Sequence, residues 1–121
     1  SVTIGLLREL QILDNGGYPG KLKPTQYHGS LCGVAPAERG ALRAVGQWNE
    51  QEVTCRERQI KVTLNRRLIL DVNLDEITDP HTLQSHPGLQ RASGHIGFLG
   101  HGDRVEFRNI RIKVLPDQRK E

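Results

Sequence analysis

The stretch from Glu50 to Leu74 constrains the fold of this chain more than any other. Val53 and Cys55 alternate with polar neighbours, Ile60, Val62 and Leu64 alternate in a new phase, and Leu68, Leu70, Val72 and Leu74 alternate again. Period-two runs of this length are the mark of strands with one buried face, and three in succession predict an antiparallel meander. The phase changes fall at Arg56 to Arg58 and at Asn65-Arg66, which are polar breaks of hairpin length. Asn65 tolerates a positive φ. Arg66 stands where Gly is the usual partner and costs about 1 kcal/mol if the turn is type I′.

Shorter signals surround the meander. The N-terminal "SVTIGLLRELQILDN" reads as one long strand or two short ones, stopped by the breakers of "DNGGYPG". A short strand is expected over His28 to Val34, and "AERGALRAVGQWN" reads as irregular. From Asn73 to Gly94 the apolar periodicity lapses around Pro80 and Pro87. A connection of that length is expected to be functional or partly helical. "HIGFLG" reads as a strand. After it, Val105 and Phe107 share one parity while Ile110, Ile112 and Val114 take the other, which predicts a final strand with a β-bulge at Arg108-Asn109 and both apolar sets buried. The glycines at 94, 97, 100 and 102 suggest close approach of a backbone or ligand. The expected organisation is a single all-β domain over residues 1–115, with 116–121 a disordered tail.

Composition agrees with such a domain. A chain of 121 residues with 36% hydrophobic and 26% charged side chains affords a real core. Aromatics make up only 4%, so that core must come from Leu, Ile and Val. Seventeen basic residues against fourteen acidic ones leave a charge of +3. Arg56, Arg58, Arg66 and Arg67 near the hairpin turns, and Arg104, Arg108, Arg111 and Lys113 along the last strand, lack interleaved exposed aromatics. They read as a solvated outer face, with no nucleic-acid partner. No apolar run is long enough to span a bilayer, and the N-terminus lacks a signal-peptide pattern, so no membrane role is expected. Cys32 and Cys55 match neither a metal hook nor a redox motif. Half-buried structural thiols are the expectation, a disulfide the alternative.

Several polar residues are candidates for chemistry. Glu9 and Gln11 share one strand face, opposite Leu10 and Ile12, and that face is either solvent surface or the floor of a ligand groove. Tyr27 and His28 form a candidate ligand-facing pair, because a Tyr ring stacks on a sugar face while His offers a titratable donor. His101 and Asp103 are spaced to reach one cation, although an HxD pair is more often a loop-stabilising hydrogen bond, so no cofactor is expected. His95 reads as a histidine satisfied by a backbone carbonyl, and Trp48 as core filling.

In their order and spacing, "ELQILDN", "KPTQYHGSLCGV", "GQWNEQEVTCRERQIKVTLNRRLILDVNL" and "HPGLQRASGHIGFLGHGDRVEFRNIRIK" resemble the bacterial 3-keto-disaccharide hydrolase domain family. The resemblance runs from about Glu9 to Leu115. It implies a concanavalin A-like jelly-roll sandwich whose concave face binds a glycoside already oxidised to a ketone at C3. It implies Glu9, His101 and Asp103 as catalytic residues, whether as base, acid or cation ligands, with Gln11, Tyr27 and His28 contacting a carbohydrate. A periplasmic or secreted location is suggested by the resemblance alone. Family domains carry further strands ahead of the "ELQILDN" position, so the expectation is an abbreviated jelly-roll with an uncovered edge. Such an edge recruits other chains, and a homo-oligomer, most simply a dimer with Ser1 to Leu7 at the contact, is expected. The rival to an enzyme is a non-catalytic carbohydrate-binding or homo-oligomeric assembly module of the same descent.

Overall fold

The computed structural model describes residues 2–4, 9–13, 15–16, 20–86, 96–98 and 104–115. Its strands form two three-stranded antiparallel sheets, ordered β2-β1-β6 and β3-β4-β5. They are β1 (Val2–Ile4), β2 (Glu9–Leu10), β3 (Gln51–Arg56), β4 (Gln59–Leu64), β5 (Arg67–Asn73) and β6 (Ile96–Phe98). One short helix, α1 (Pro80–Ser85), and two 3-10 turns, Pro24–Gln26 and Leu74–Glu76, complete the regular structure among the described residues. Among the described residues the regular structure is therefore mostly antiparallel sheet, as the alternation requires.

The meander forms as its phase changes demand. Along β4, Ile60, Val62 and Leu64 are buried while Lys61 is exposed. Both hairpins turn through two residues, because Arg56 pairs with Gln59 and Leu64 with Arg67. Asn65 and Arg66 both have positive φ, 50° and 70°, the signature of a type I′ turn. Asn65 offsets the strain by cross-linking its surroundings: its Oδ1 accepts from the Glu50 N–H at 2.8 Å, and its Nδ2 donates to the Ala41 carbonyl at 2.7 Å.

In β5 the register departs from simple alternation. Val62 pairs with Leu70 but Thr63 pairs with Leu68, so Ile69 is an extra residue, a β-bulge. The parity flips there. Leu68, expected inside, is 48% exposed, while Ile69 and Leu70 are both buried. The bulged carbonyl is not lost, since Ile69 accepts from the Glu38 N–H at 2.8 Å. Its side chain reaches the Cα of Gly29, where φ is +84° and a Cβ would collide with Ile69 Cδ1. Only glycine meets both demands.

One aliphatic core joins the elements. Leu10, Leu31, Ile60, Val62, Leu64, Ile69, Leu70 and Leu74 form it, with Ala35 and Ala37, and no aromatic side chain is among them. Over its described part, 73–86, the long connection after β5 is partly helical, as expected of its length. Asn73 caps the 3-10 turn and Asp79 caps α1 through the Thr82 N–H at 3.0 Å.

Four further expectations need correction. His28 to Val34 is not a strand: Leu31 forms isolated bridges to Leu10 and Ala35 around a tight turn, because glycines at 29 and 33 take positive φ. Residues 104–115 form no strand and no bulged ladder, and Val105, Phe107, Ile110 and Ile112 are 43–74% exposed. A strand needs a neighbour to bond to, and no described strand pairs with this segment; the backbone does turn at the expected place, with Asn109 at φ 53°. Trp48 is not core: it is exposed, with the Arg108 guanidinium 4.0 Å from its ring centre. Cys55 is exposed rather than half-buried, and Cys32 and Cys55 are not joined in a disulfide. The 116–121 tail, His95 and most of Ser1 to Leu7 lie outside the described residues.

Candidate functional site

The sheet β2-β1-β6 carries one candidate residue, Glu9, on β2. Thr3 of β1 is paired with Glu9 on one side and with Gly97 on the other. Strands in a sheet lie about 4.8 Å apart, so Glu9 and Gly97 occupy one cross-strand row, about 10 Å from each other. β6 ends at Phe98, three positions before His101 in the sequence. His101 and Asp103 themselves lie outside the described residues.

Beyond β2 the chain runs beside residues 28–31. Gln11 donates its N–H to the Ser30 carbonyl at 2.9 Å and accepts from the Gly29 N–H at 2.8 Å. Glu9, Gln11, Tyr27 and His28 thus belong to adjoining segments. The side chain of His28 is committed to the fold. The Leu13 N–H donates to Nδ1 at 3.2 Å, which fixes the neutral tautomer with Nε2–H donating to Gln51 Oε1 at 2.7 Å. The His28 N–H is in turn held by Asn15 Oδ1 at 2.8 Å. With both ring nitrogens engaged, His28 ties the start of β3 to the end of the β2 segment.

Burial lowers the pKa of His28 below 6.5, and the hydrogen bond to Gln51 opposes that shift only in part. Because the folded pKa lies below the unfolded one, the unfolded chain takes up the proton first. The stability due to neutral His28 is complete above pH 6.5 and is lost as pH falls below that value. Urea unfolding at pH 8, 6 and 5 is expected to show this decline, and His28→Gln to flatten it. An equally steep loss in H28Q would assign the dependence to other groups.

Tyr27 presents a half-buried ring, and the Arg39 guanidinium lies over it, 4.3 Å from the ring centre. Beside this pair an open cavity of about 520 Å³ is lined by Pro24, Pro36, Ala37, Glu38, Arg39 and Arg67. Arg39, Gln51 and Asn15 carry no sequence signal of their roles, apart from the turn chemistry of the Asp-Asn-Gly run around Asn15. Each acts through a partner distant in the chain. No group of three His, Cys, Asp or Glu side chains among the described residues could hold a metal ion.

Two antiparallel sheets, the first tied to the aliphatic core through Leu10, with the strand of Glu9 and the strand of Gly97 on either side of β1, define an all-β fold. The chain belongs to the 3-keto-alpha-glucoside-1,2-lyase-like domain family, the match extending over residues 5–113. It is similar to the 3-keto-disaccharide hydrolase of Bacteroides thetaiotaomicron, 29% identical over 88% of this chain and 43% of that protein. The chain thus spans less than half the length of that relative. A crystal structure from Parabacteroides distasonis, named among the glycosyl hydrolases, aligns with a TM-score of 0.43 and 24% identity over 45% of this chain and 28% of the other. Among the described residues no helix is long and apolar enough to cross a membrane.

Proposed function

We propose that this domain cleaves 3-keto-glycosides by elimination, on a jelly-roll sandwich, with Glu9, His101 and Asp103 as its proton-transfer groups. The observation that carries the reading is the family match over residues 5–113, which includes all three. Strand pairing supports it, because Thr3 joins the strand of Glu9 to the strand that precedes His101.

The chemistry follows from the ketone. A carbonyl at C3 acidifies the proton on C2. A base takes that proton, the electron pair forms the C1–C2 double bond, and the bond from C1 to the glycosidic oxygen breaks. An acid protonates the departing oxygen. Water then adds at C1, returns a proton to C2, and completes a net hydrolysis. Two carboxylates and an imidazole suffice for both proton transfers. Gln11 and Tyr27 lie on adjoining segments and supply a hydrogen-bonding side chain and a ring face for the sugar.

The test is incubation of the purified chain with methyl 3-keto-α-glucoside in D2O. Methanol release with deuterium appearing at C2 is expected, and no release from unoxidised methyl glucoside. Equal cleavage of both sugars, or none of either, would overturn the reading.

Self-association is a second reading, favoured by one observation. Phe98 and Phe107 stack with ring centres 4.5 Å apart yet both stay exposed, in line with exposed Val105, Ile110 and Ile112. Apolar groups so placed favour contact with a second copy. Light scattering on a size-exclusion peak is expected to give a dimer mass, reduced to the monomer by Phe107→Ser with Ile112→Ser. A monomeric wild-type chain at micromolar concentration would rule it out.

A further inference from the structure

The cavity beside Tyr27 has a composition that neutral-sugar elimination does not call for. We propose that it is a subsite for a saccharide carboxylate, so that the ligand class of this domain extends to uronic-acid glycosides. Two of its six lining residues are arginines, Arg39 and Arg67, against one carboxylate, Glu38. A guanidinium presents a rigid fork of N–H donors that matches a carboxylate in a bidentate pair. Its volume, about 520 Å³, suits a small sugar, and the rings of Pro24 and Pro36 give it apolar walls.

The two cations differ in how they are held. Arg39 is fixed over the Tyr27 ring at 4.3 Å, so the Tyr27 face and the Arg39 charge form one element. Arg67 opens β5, whose frame is locked by pairing to β4 and by the Glu38 N–H to the Ile69 carbonyl at 2.8 Å. The Arg67 side chain meets only one Glu38 oxygen, through Nη2 at 3.5 Å, and both side chains are more than half exposed. Bidentate guanidinium–carboxylate pairs close to about 2.8 Å. The fork of Arg67 is thus unsaturated, and the Glu38 carboxylate stands beside it as a displaceable occupant of the place a ligand carboxylate would take.

The proposal rests on the carbohydrate reading above, and the two fail separately. Isothermal titration at low ionic strength compares methyl glucuronide, methyl glucoside and sodium acetate. The uronide is expected to bind about tenfold more tightly than the neutral glucoside, the gain of one charge-assisted pair. Glu38→Gln removes the competing carboxylate and is expected to raise uronide affinity severalfold while leaving the glucoside unchanged. Arg67→Ala is expected to erase the preference, and Arg67→Lys not to restore it. Equal affinity for the two sugars, a preference that survives R67A, or weaker uronide binding in E38Q would overturn the subsite. Acetate competing as well as the uronide would overturn its saccharide character. Turnover of methyl 3-keto-glucoside in the same R67A sample separates the readings: retained turnover with lost uronide preference leaves elimination standing and locates the carboxylate at Arg67.

Discussion

Glu9→Gln is expected to lower kcat/KM for methyl 3-keto-α-glucoside by about 10²–10⁴-fold, the usual worth of one positioned general acid or base, while leaving the fold intact. The amide keeps the shape of the side chain and removes its basicity. β2 is tied to β1 through the backbone pairs Val2 with Leu10 and Thr3 with Glu9, which the substitution does not touch. His101→Ala and Asp103→Asn are expected to fall in the same range if they share the proton transfers, and less than additively when combined, because groups that act as a unit are lost as a unit. Circular dichroism on each variant distinguishes lost chemistry from lost structure. Turnover by E9Q at the wild-type rate would remove Glu9 from the mechanism.

The neighbouring residue is expected to fail in the opposite way. Leu10→Ala should cost about 2–5 kcal/mol, the range for emptying a fully buried leucine site. Leu10 has no solvent exposure, and its bridge to Leu31 joins the β2-β1-β6 sheet to the segment lining the main core. With no aromatic side chain in that core, few large groups can shift into the cavity. A domain stable by 5–15 kcal/mol overall does not absorb such a loss easily. Urea denaturation measures it. A midpoint within error of wild type would mean that the two sheets do not depend on each other through Leu10.

These two outcomes show how unevenly the sequence speaks. The meander was readable because each strand carries its own period and each turn its own polar break, so Ile60, Val62 and Leu64 announced their burial without reference to anything distant. The bulge at Ile69 was not, because "LIL" places apolar residues at both parities and nothing local says which leucine faces water. Residues 104–115 show the converse: apolar residues alternate on either side of Arg108-Asn109 as they do in β4, but a strand is a property of a pair. His28 looked like a free titratable donor in "TQYHGS". What closes it off are Leu13 and Gln51, one on either side of it in the chain and neither visible in that motif. For the candidate site, the identity of Glu9 came from its motif, whereas its adjacency to β6 came only from the shared partner Thr3.

That shared partner also orders the folding of the molecule in time. The hairpins of β3, β4 and β5 close loops of two residues, so the meander can assemble from local encounters. The ladder from Thr3 to Gly97 instead joins positions separated by most of the chain, and closing so long a loop costs more entropy for few bonds. Amide protons of β4 should therefore exchange with solvent only on global unfolding, while those of β1 and β6 exchange through smaller openings. The strands that frame Glu9 would then be the last to close and the first to open, and a glycoside held there would slow their exchange without touching that of β4.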